Sequence, residues 1–396
     1  MPMPPVPPRR PRLLAPLLMS LSVAAATAAT PAALPPELPP ETLSTSTLDA
    51  AQQARVYVAD VSIAHIHDGR IRIYDPRDAK FLGTISTGYV GNFTLSPKRD
   101  ELYVATSFLS RGVHGERLDV LEIHDTNALT VKGEILLPPR RAQALTYRGL
   151  VRTSANGRFV LVQNATPATS ITVVDLQERK AVAEVQTPGC WGLLPAASHA
   201  TRFSMLCGDG KVATVTLDEQ GQVADRQLSE KLFDADADAW FHHAEQIGDR
   251  YWFVSFKGTL TELDLGGPAA RVRAKTDLVQ GLKGGWRPGG YQLFAVHPDG
   301  RYAVVAMHDK GVEGSHKRPA TELWTFDLQT GKRVAKAPGL GTAAMTFSRN
   351  GQRLHTLSGV NGEMRSWQWP QAGVTPKLLS VVKRAGESAL LLETQD

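Results

Sequence analysis

One two-part pattern recurs along this chain, and it constrains the fold more tightly than any other feature of the sequence. Its first half is a polar turn, usually with Gly or Asn at the tip, that leads into an apolar strand. Its second half is a strand that ends in a polar, mostly aspartate-containing turn. The first half is clearest in residues 96–105, 154–162, 297–305 and 348–354. The second half occurs in residues 73–75, 123–125, 173–176, 214–217, 261–265, 324–328 and 364–367.

Seven copies at a spacing of about 40 to 60 residues predict a repeat of four-stranded blades. Short strands bounded by Gly, Asp, Asn and Pro dominate from residue 55 onward, and long helical periodicity is absent. The sequence therefore predicts an all-β, seven-bladed β-propeller, whose radial closure hides the strand edges. We expect a strand at residues 55–60 to complete the last blade beside a C-terminal strand near residues 389–393. A pair of β-sandwiches or a β-solenoid is the alternative fold.

The first 28 residues have the pattern of a signal peptide. Arg9, Arg10 and Arg12 precede an apolar run at residues 13–23, and small residues follow. We place cleavage after Ala28 and expect no membrane span, because the apolar run is too short to cross a bilayer as a helix. The ordinary secretory route is expected, with the twin-arginine route as the alternative. A Pro/Ser/Thr-rich arm is predicted at residues 29–54 and the propeller at residues 55–396.

Charge and cysteine content narrow the function classes. The formal net charge is +5, and acidic and basic residues alternate along the folded part, which argues against nucleic acid as a partner. Two cysteines are present, Cys190 and Cys207. An exported chain meets an oxidising compartment, so we expect these cysteines to form a disulfide, with two buried free thiols as the alternative.

The sequence contains no motif that places catalysis in this chain. It lacks the Gly-x-Ser-x-Gly, phosphate-loop, dinucleotide-binding and His-Glu-x-x-His patterns. Asp234, Asp236, Asp238 and Glu245 resemble a calcium loop in their oxygen ligands. However, Ala239 replaces the glycine that such a loop needs for its sharp turn, which favours a solvated acidic loop.

Two histidine pairs are weaker metal candidates. His65 and His67 have the spacing of one face of a strand, and His242 and His243 are adjacent. Imidazole is a common metal ligand, but neither pair has carboxylate or cysteine partners of matching spacing nearby. We therefore expect no metal site and no catalytic residue in this chain.

Five segments of the folded part resemble motifs of one protein family. They are residues 110–119 (Ser-Arg-Gly-Val-His-Gly-Glu-Arg-Leu-Asp), 188–190 with 206–210 around the two cysteines, 286–292 (Trp-Arg-Pro-Gly-Gly-Tyr-Gln) and 316–317 (His-Lys). They resemble the heavy (large) subunit of methylamine and aromatic amine dehydrogenases. That subunit carries Ser-Arg-x-x-x-Gly-x-Arg-Thr-Asp, a disulfide, Trp-Arg-Pro-Gly-Gly-Trp-Gln and His-Lys at the corresponding places. The resemblance covers most of the folded chain.

This resemblance implies a division of labour between two kinds of subunit. It implies a periplasmic α2β2 enzyme that oxidises a primary amine to an aldehyde and ammonia and passes the electrons to a blue copper protein or a cytochrome. In that family the tryptophan tryptophylquinone, the catalytic base and most of the substrate pocket belong to a separate small (light) subunit. The present chain would then be the large, cofactor-free subunit. A stand-alone periplasmic β-propeller that binds a partner protein or a ligand is the alternative function.

One residue of this chain is expected at the entrance of the substrate pocket. The family's heavy chain places an aromatic side chain there in a Gly-Phe-Leu-Pro-Asn segment, and residues 88–92 here are Gly-Tyr-Val-Gly-Asn. Tyr89 is therefore the predicted substrate-access gate, with an ordinary loop aromatic at the rim as the alternative. Tyr89 replaces Phe, Gly91 replaces Pro and Leu118 replaces Thr. These departures concern substrate preference and the contact with the small subunit, and they leave the fold unaffected.

Overall fold

Seven antiparallel β-sheets, arranged in a ring, make up the folded part of the chain. The structure, a computed structural model, describes residue 41 and residues 46–49, 54–143 and 147–396. The predicted signal peptide at residues 1–28 and most of the predicted arm at residues 29–54 lie outside the described residues. The ring confirms the prediction of an all-β, seven-bladed β-propeller.

The described residues contain 29 strands and three short 3-10 helices. In chain order the strands of the first half are β1 Val56–Asp60, β2 Gly69–Tyr74, β3 Phe81–Gly88, β4 Asn92–Leu95, β5 Glu101–Leu109, β6 Arg117–Asp125, β7 Val131–Leu137, β8 Val151–Thr153, β9 Phe159–Asn164, β10 Ser170–Asp175, β11 Lys180–Gln186, β12 Cys190–Pro195, β13 Arg202–Cys207, β14 Val212–Leu217 and β15 Val223–Leu228. Those of the second half are β16 Trp240–Ile247, β17 Arg250–Ser255, β18 Thr259–Asp264, β19 Arg271–Asp277, β20 Arg287–Pro288, β21 Phe294–Val296, β22 Tyr302–His308, β23 Glu322–Asp327, β24 Lys332–Pro338, β25 Thr342–Phe347, β26 Arg353–Ser358, β27 Met364–Gln368, β28 Lys377–Val382 and β29 Ala389–Thr394. The 3-10 helices span Ile63–His65, Arg148–Leu150 and Ser315–Lys317.

Each blade is one sheet whose strands run outward from the ring axis in order. Blades 2, 3, 4, 5 and 7 contain β4–β7, β8–β11, β12–β15, β16–β19 and β25–β28. In blade 6 the innermost strand is broken into β20 and β21, and both pieces pair with β22. Blade 1 contains β1, β2 and β3, with β29 in the innermost position. The predicted closure between the two ends of the propeller is confirmed, since Tyr57 of β1 pairs with Glu393 of β29.

The sequence repeat corresponds to fixed positions in every blade. The seven copies of its second half lie on the third strand from the axis, from β2 in blade 1 to β27 in blade 7. The first-half turns join the innermost strand to the second strand. Gly157 between β8 and β9 and Gly351 between β25 and β26 have φ of 68° and 71°, a left-handed conformation that glycine adopts at little cost.

The apolar core lies between the blades. In β1, Tyr57 and Ala59 pack with residues of blade 2, whereas Val56 and Val58 pack with residues of blade 7. Successive side chains of a strand point to opposite faces of its sheet, so a strand with a blade on each side is apolar throughout. Equivalent clusters join blades 2 and 3, 3 and 4, 4 and 5, and 5 to 7. Apolar contacts therefore run around the whole ring.

The loops lie on two faces of the ring, because neighbouring strands of a blade run in opposite directions. The loop that leaves the outermost strand for the next blade lies on the same face as the loop between the second and third strands. Residues 88–92 connect β3 to β4 on this face, which we call the Tyr89 face. The other turns of each blade lie on what we call the opposite face.

Cys190 and Cys207 form a disulfide in the structure, as the sequence analysis predicts. They pair with each other on β12 and β13 of blade 4, at the Tyr89 face. They lie 17 positions apart in the sequence, and the segment from one to the other spans both strands and their connecting turn. The disulfide thus ties the innermost strand of blade 4 to its neighbour.

Removing this disulfide should lower the free energy of unfolding by about 3 kcal/mol, because the unfolded chain then loses a constraint on a loop of this size. The Cys190→Ser/Cys207→Ser variant tests this by urea unfolding, with the wild-type protein in a reducing agent as the matched comparison. The reductant should shift the wild-type midpoint toward that of the double variant and leave the variant unchanged. An equal midpoint for the oxidised wild type and the variant would contradict the prediction.

Candidate functional site

The segment around Tyr89 has an unusual backbone. Gly88 has φ 55°, and Val90 has φ 46° although its side chain is β-branched, a combination that is rare and strained. A Cβ atom on Gly91 would lie 2.2 Å from the carbonyl oxygen of Thr87. Glycine therefore occupies the position where the family motif has proline because the chain folds back closely on β3.

Arg141 holds this strained segment in place. Its guanidinium donates to the carbonyl oxygen of Val90 at 2.9 Å and to the carbonyl oxygen of Tyr89. The arginine is 3% exposed. Burial lowers the pKa of Arg141 to about 10, against the raising influence of nearby Asp119, so the side chain stays charged at neutral pH. Two charge-assisted hydrogen bonds from a buried cation therefore fix two consecutive carbonyl groups of the main chain, those of Tyr89 and Val90.

Arg141 is itself held by a hydrogen-bonded chain. Its Nε donates to Ser107 Oγ at 2.9 Å, and Ser107 Oγ donates to Asp119 Oδ1 at 2.6 Å. Arg117 donates to both carboxylate oxygens of Asp119, each at 2.6 Å. Arg117 and Asp119 are the last charged residues of the family-like motif at residues 110–119. The structure therefore gives that motif a physical role, which is to anchor the clamp on the Tyr89 segment.

The side chain of Tyr89 is partly exposed on the Tyr89 face. Its main chain is fixed by Arg141 and by the bond from its N–H to the Ser107 carbonyl oxygen at 3.3 Å. Its hydroxyl has no hydrogen-bond partner among the described residues. The ring and hydroxyl are thus presented on a rigid backbone and are free to contact a ligand or another chain.

Replacing Arg141 by leucine should loosen residues 88–92, because the strained main chain loses its buried donors. We expect amide hydrogen exchange at Tyr89 and Val90 to become at least tenfold faster. Arg140→Leu is the matched control, since Arg140 lies next in sequence but pairs with Glu184 and is 43% exposed. Equal exchange rates in the two variants would show that Arg141 does not hold the segment.

A second group of charged side chains crosses the ring axis. Arg148, on the 3-10 helix between blades 2 and 3, contacts Glu245 of blade 5 at 2.9 Å and Glu393 of blade 1 at 3.1 Å. It also donates to Thr346 Oγ1 of blade 7 at 3.3 Å. Glu393 in turn pairs with Arg99 at 3.2 Å. One arginine therefore links blades that are far apart around the ring.

The pKa values in this axial network follow from the charges. Burial alone would raise the pKa of Glu393, but Arg148, Arg99 and Arg152 outweigh burial and lower it to about 2. Burial alone would lower the pKa of Arg148, but Glu393 and Glu245 raise it above its ordinary value. Both partners stay charged over the physiological pH range, so the network is a set of buried ion pairs.

A cavity of about 30 Å³ lies on the axis between this network and the Tyr89 face. Tyr147, Trp191 and Tyr291 line it together with His242, whose ring contacts Tyr147 edge-on at 5.4 Å between centroids. Burial, with a smaller influence of His243, lowers the pKa of His242 to about 4. The imidazole is therefore neutral at physiological pH, and the cavity has room for about one water molecule.

The structure brings the two later family-like segments together. The N–H of Gly290 donates to the carbonyl oxygen of His316 at 3.0 Å. Lys317 Nζ lies 5.4 Å from the centre of the Tyr291 ring, a cation–π contact. The segment at residues 284–290, which contains the short strand β20, thus packs against the His-Lys segment. Gln292 then bonds the main chain of Leu392 in both directions, at 2.8 and 3.1 Å, which links blade 6 to β29.

The structure separates the acidic residues that resemble a calcium loop. Asp234 accepts hydrogen bonds from Lys231 and from the N–H groups of Asp236 and Ala237. Glu245 lies instead on β16 and pairs with Arg148. Among the described residues no group of three or more His, Cys, Asp and Glu side chains is arranged to hold a metal ion.

The histidine pairs are also placed differently from a chelating site. The expectation that His65 and His67 share a strand face is wrong, because His65 ends a 3-10 helix and both side chains are exposed. The local sequence Ile-Ala-His-Ile-His lies in a loop between β1 and β2. His242 and His243 both border the axial cavity but have different partners. The His242 ring contacts the Tyr147 ring, whereas His243 Nε2 lies 3.1 Å from Glu245 and 3.0 Å from the carbonyl oxygen of Phe294.

Sequence reasoning missed the residues that position the site. Arg141 is one of two adjacent arginines in a loop, and no pattern distinguishes it from the exposed Arg140. Arg148, Glu245 and Glu393 are isolated charges in strand or loop segments, and only the closure of the ring brings them together. One sequence signal was available. A charged residue in an otherwise apolar strand, such as Glu393 in β29, indicates a buried charge that needs a partner.

Large exposed apolar side chains are distributed unevenly between the two faces. Those in loops or on the second and third strands lie on the Tyr89 face: Ile63, Phe108, Val113, Leu118, Leu282, Val312, Leu340 and Val360. The remaining ones lie on the outermost strands, at the perimeter. None lies in a described loop of the opposite face. The apolar loops belong to the consecutive blades 6, 7, 1 and 2 and to the connections that enter blades 6 and 7, so they occupy one part of the ring, which includes the Tyr89 loop. We call this set of eight residues the apolar arc.

No helix among the described residues has the length and apolar composition needed to cross a membrane.

Two solved structures share the propeller fold with this chain at low sequence identity. The periplasmic gluconolactonase of Pseudomonas aeruginosa superimposes with a TM-score of 0.58 at 15% identity, over 86% of this chain and 98% of that chain. A putative 6-phosphogluconolactonase of Bacteroides fragilis superimposes with a TM-score of 0.59 at 12% identity, over 90% of this chain and 99% of that chain. At these identities the comparison supports the fold alone.

Sequence comparison identifies the family. The methylamine dehydrogenase heavy chain of Methylophilus methylotrophus is 26% identical over 359 residues, which cover 86% of each chain. That of Methylorubrum extorquens is 25% identical over 295 residues, 69% of this chain and 70% of the relative. The family model for the methylamine dehydrogenase heavy chain matches residues 52–368. With most of the propeller inside that match, the chain belongs to the methylamine dehydrogenase heavy chain family.

Proposed function

We propose that this chain is the large, cofactor-free subunit of a periplasmic amine dehydrogenase. The enzyme would oxidise a primary amine to an aldehyde and ammonia, with tryptophan tryptophylquinone on a separate small subunit in an α2β2 assembly. Electrons would pass to a blue copper protein or a cytochrome. Family membership supports the heavy-chain role, and the predicted signal peptide supports export.

The observation that carries the proposal is the clamped Tyr89 segment. The strained main chain of this loop is held by the buried Arg141 and presents one partly exposed aromatic ring on the Tyr89 face. Strain of this kind persists where the surroundings over-determine the backbone, and it is common at ligand-binding positions. A rigid ring at the rim suits the wall of a pocket whose reactive group belongs to another chain.

The apolar arc on the Tyr89 face supports docking of the small subunit there. A concentration of exposed apolar side chains on one part of a protein surface favours an interaction surface there. The arc flanks Tyr89, with Ile63 before it and Phe108, Val113 and Leu118 after it in the sequence. A small subunit seated on this arc would place its substrate pocket against Tyr89.

In that assembly the residues of this chain would shape the pocket entrance. The quinone of the small subunit supplies the electron-accepting chemistry when it is present. The Tyr89 ring would limit the size of the amine side chain that enters and would exclude water from the pocket mouth. Arg141, Ser107 and Asp119 would keep the ring at one position, so that binding a substrate needs no reorganisation of the loop.

Co-expression with the small subunit from the same source tests the proposal. We expect the two chains to co-purify and the complex to reduce a redox dye in the presence of a primary amine. Val113→Asp, on the Tyr89 face at 60% exposure, should weaken co-purification by burying a charge in the interface. Leu136→Asp is the matched control, because Leu136 is 62% exposed but lies on the outermost strand of the same blade.

The same experiment distinguishes the alternative function. If the chain purifies alone and shows no amine-dependent dye reduction in the presence of the small subunit, the dehydrogenase role is wrong. A stand-alone periplasmic propeller that binds a protein or ligand would then be the better description.

A further inference from the structure

A second and larger cavity opens at the ring axis on the opposite face. Its volume is about 490 Å³, and all seven blades contribute to its wall. The innermost strands and the turns that follow them form this wall, so the cavity is a funnel centred on the axis. Arg148 and its ion pairs lie at the inner end of the funnel. They separate it from the cavity of about 30 Å³ that His242 lines. The funnel is thus distinct from the Tyr89 site and opens on the other side of the molecule.

Positive charge exceeds negative charge in the wall of this funnel. It contains four arginines, Arg99, Arg148, Arg152 and Arg349, and two carboxylates, Glu245 and Glu393. Both carboxylates are already engaged, Glu245 by Arg148 and Glu393 by Arg148 and Arg99. Two guanidinium groups therefore have no carboxylate of the wall within ion-pair distance, although Arg152 acts on Glu393 at longer range.

The two unbalanced arginines are Arg152 and Arg349. Arg152 donates to the neutral amide oxygen of Gln246. The side chain of Arg349 has no hydrogen-bond or ion-pair partner among the described residues, and partial burial together with the charge of Arg99 lowers its pKa. The nearby carboxylate of Asp396 is held by Arg353 at 2.8 Å. Arg152 and Arg349 thus add positive charge to the funnel wall that no carboxylate at ion-pair distance balances.

We propose that this funnel is a binding site for a small oxyanion, a molecule that carries a carboxylate or phosphate group. Arg349 and Arg152 would donate to the anion, and Arg99 would add to the positive field. Planar guanidinium groups match the geometry of both oxyanions and bind them by paired, charge-assisted hydrogen bonds. At roughly 30 Å³ per water, the volume of about 490 Å³ holds an inorganic anion with its water or a compact organic acid.

The same charges disfavour a protonated amine in this funnel. Surplus guanidinium groups repel an ammonium ion, and neither carboxylate is free to bind one. The funnel is therefore not a second entrance for the amine of the proposed reaction. The inference is independent of the proposed function, because it rests on the charge and shape of the opposite face alone.

Calorimetric titration of the full chain with inorganic phosphate and, separately, with citrate tests this inference at constant ionic strength. We expect saturable binding of at least one probe, with one site per chain, and a loss of about tenfold in affinity in Arg349→Gln. Arg271→Gln is the matched control, because Arg271 is an exposed arginine on the outermost strand of blade 5. The affinity of Arg271→Gln for the anion should equal that of the wild type. Urea unfolding without the anion checks that Arg349→Gln is folded, which we expect because its side chain lies at the rim.

Three outcomes would overturn the inference. The first is no saturable binding of either probe by the wild-type protein. The second is an equal loss of affinity in Arg349→Gln and Arg271→Gln, which would show a general effect of net charge. The third is binding of an acidic peptide but of neither small anion, which would make the funnel a docking site for another protein. Preference for phosphate or for citrate would identify the chemical class of the ligand.

Discussion

Replacing Arg148 by methionine should lower the free energy of unfolding by about 3–5 kcal/mol, the largest loss of stability that we expect from one substitution in this ring. Methionine keeps much of the side-chain volume but removes the charge. Glu245 and Glu393 would then remain on the axis without their shared counter-ion. A buried carboxylate that loses its partner costs more than the pair contributed, because its desolvation is no longer compensated. Urea unfolding followed by circular dichroism measures the loss.

Arg273→Met is the matched control for this substitution. Arg273 also contacts two carboxylates, Glu262 at 3.2 Å and Asp264 at 3.3 Å, but its side chain is 53% exposed. Solvent screens such a pair, so we expect a loss below about 1 kcal/mol. Similar losses in the two variants would mean that the axial position of Arg148 gives it no special role.

The pH dependence of the Arg148→Met effect identifies its cause. Glu393 has a pKa of about 2 in the folded protein against an ordinary value of 4.5. Its charge therefore contributes stability that is fully present above about pH 5 and is lost as the pH falls toward 2. The difference between wild type and variant should shrink over that range, because protonated Glu393 no longer needs Arg148. A difference that is constant with pH would show a packing defect instead.

Replacing Tyr89 by alanine should change the amine selectivity of the assembled enzyme by about tenfold or more. Removal of the ring widens the pocket entrance, so kcat/KM for bulky amines should rise relative to kcat/KM for methylamine. Stability should change little, because the Tyr89 side chain is partly exposed and Arg141 binds only main-chain atoms of the Tyr89 segment. Steady-state kinetics with a series of primary amines, together with thermal unfolding, measures both effects.

Tyr89→Phe separates the two parts of this side chain. Phenylalanine keeps the ring and restores the residue of the family motif, so the selectivity of Tyr89→Phe should stay near that of the wild type if size exclusion is the role. If Tyr89→Ala leaves the relative kcat/KM of small and bulky amines unchanged, Tyr89 is an ordinary loop aromatic and the gating role is wrong.

The sequence predicted local structure and its repetition well, because each blade carries its own signals. The Gly-tipped turns at Gly157 and Gly351 depend on residues that are adjacent in the chain. The same is true of the aspartate turns that follow the third strand in blades 1 to 6. The closure between β1 and β29 also followed from the pattern, since two apolar strands at the ends of the propeller have no other partner. The spacing of His65 and His67 gave a wrong prediction, because alternation over a few residues does not distinguish a strand from a short loop.

By itself the sequence determined the propeller fold, the number of blades and the candidate disulfide. It also located the Tyr89 segment, through its resemblance to a family motif. Only the tertiary structure decided which charges meet. Arg141 reaches Tyr89 across 52 positions and Arg148 reaches Glu393 across 245, and no local pattern encodes such contacts. Closing a ring brings the innermost strand of every blade to one axis, where burial makes each charge depend on its partner. The cationic funnel on the opposite face results from that closure. The Tyr89 site results from contacts within blade 2 and the loops on either side of it.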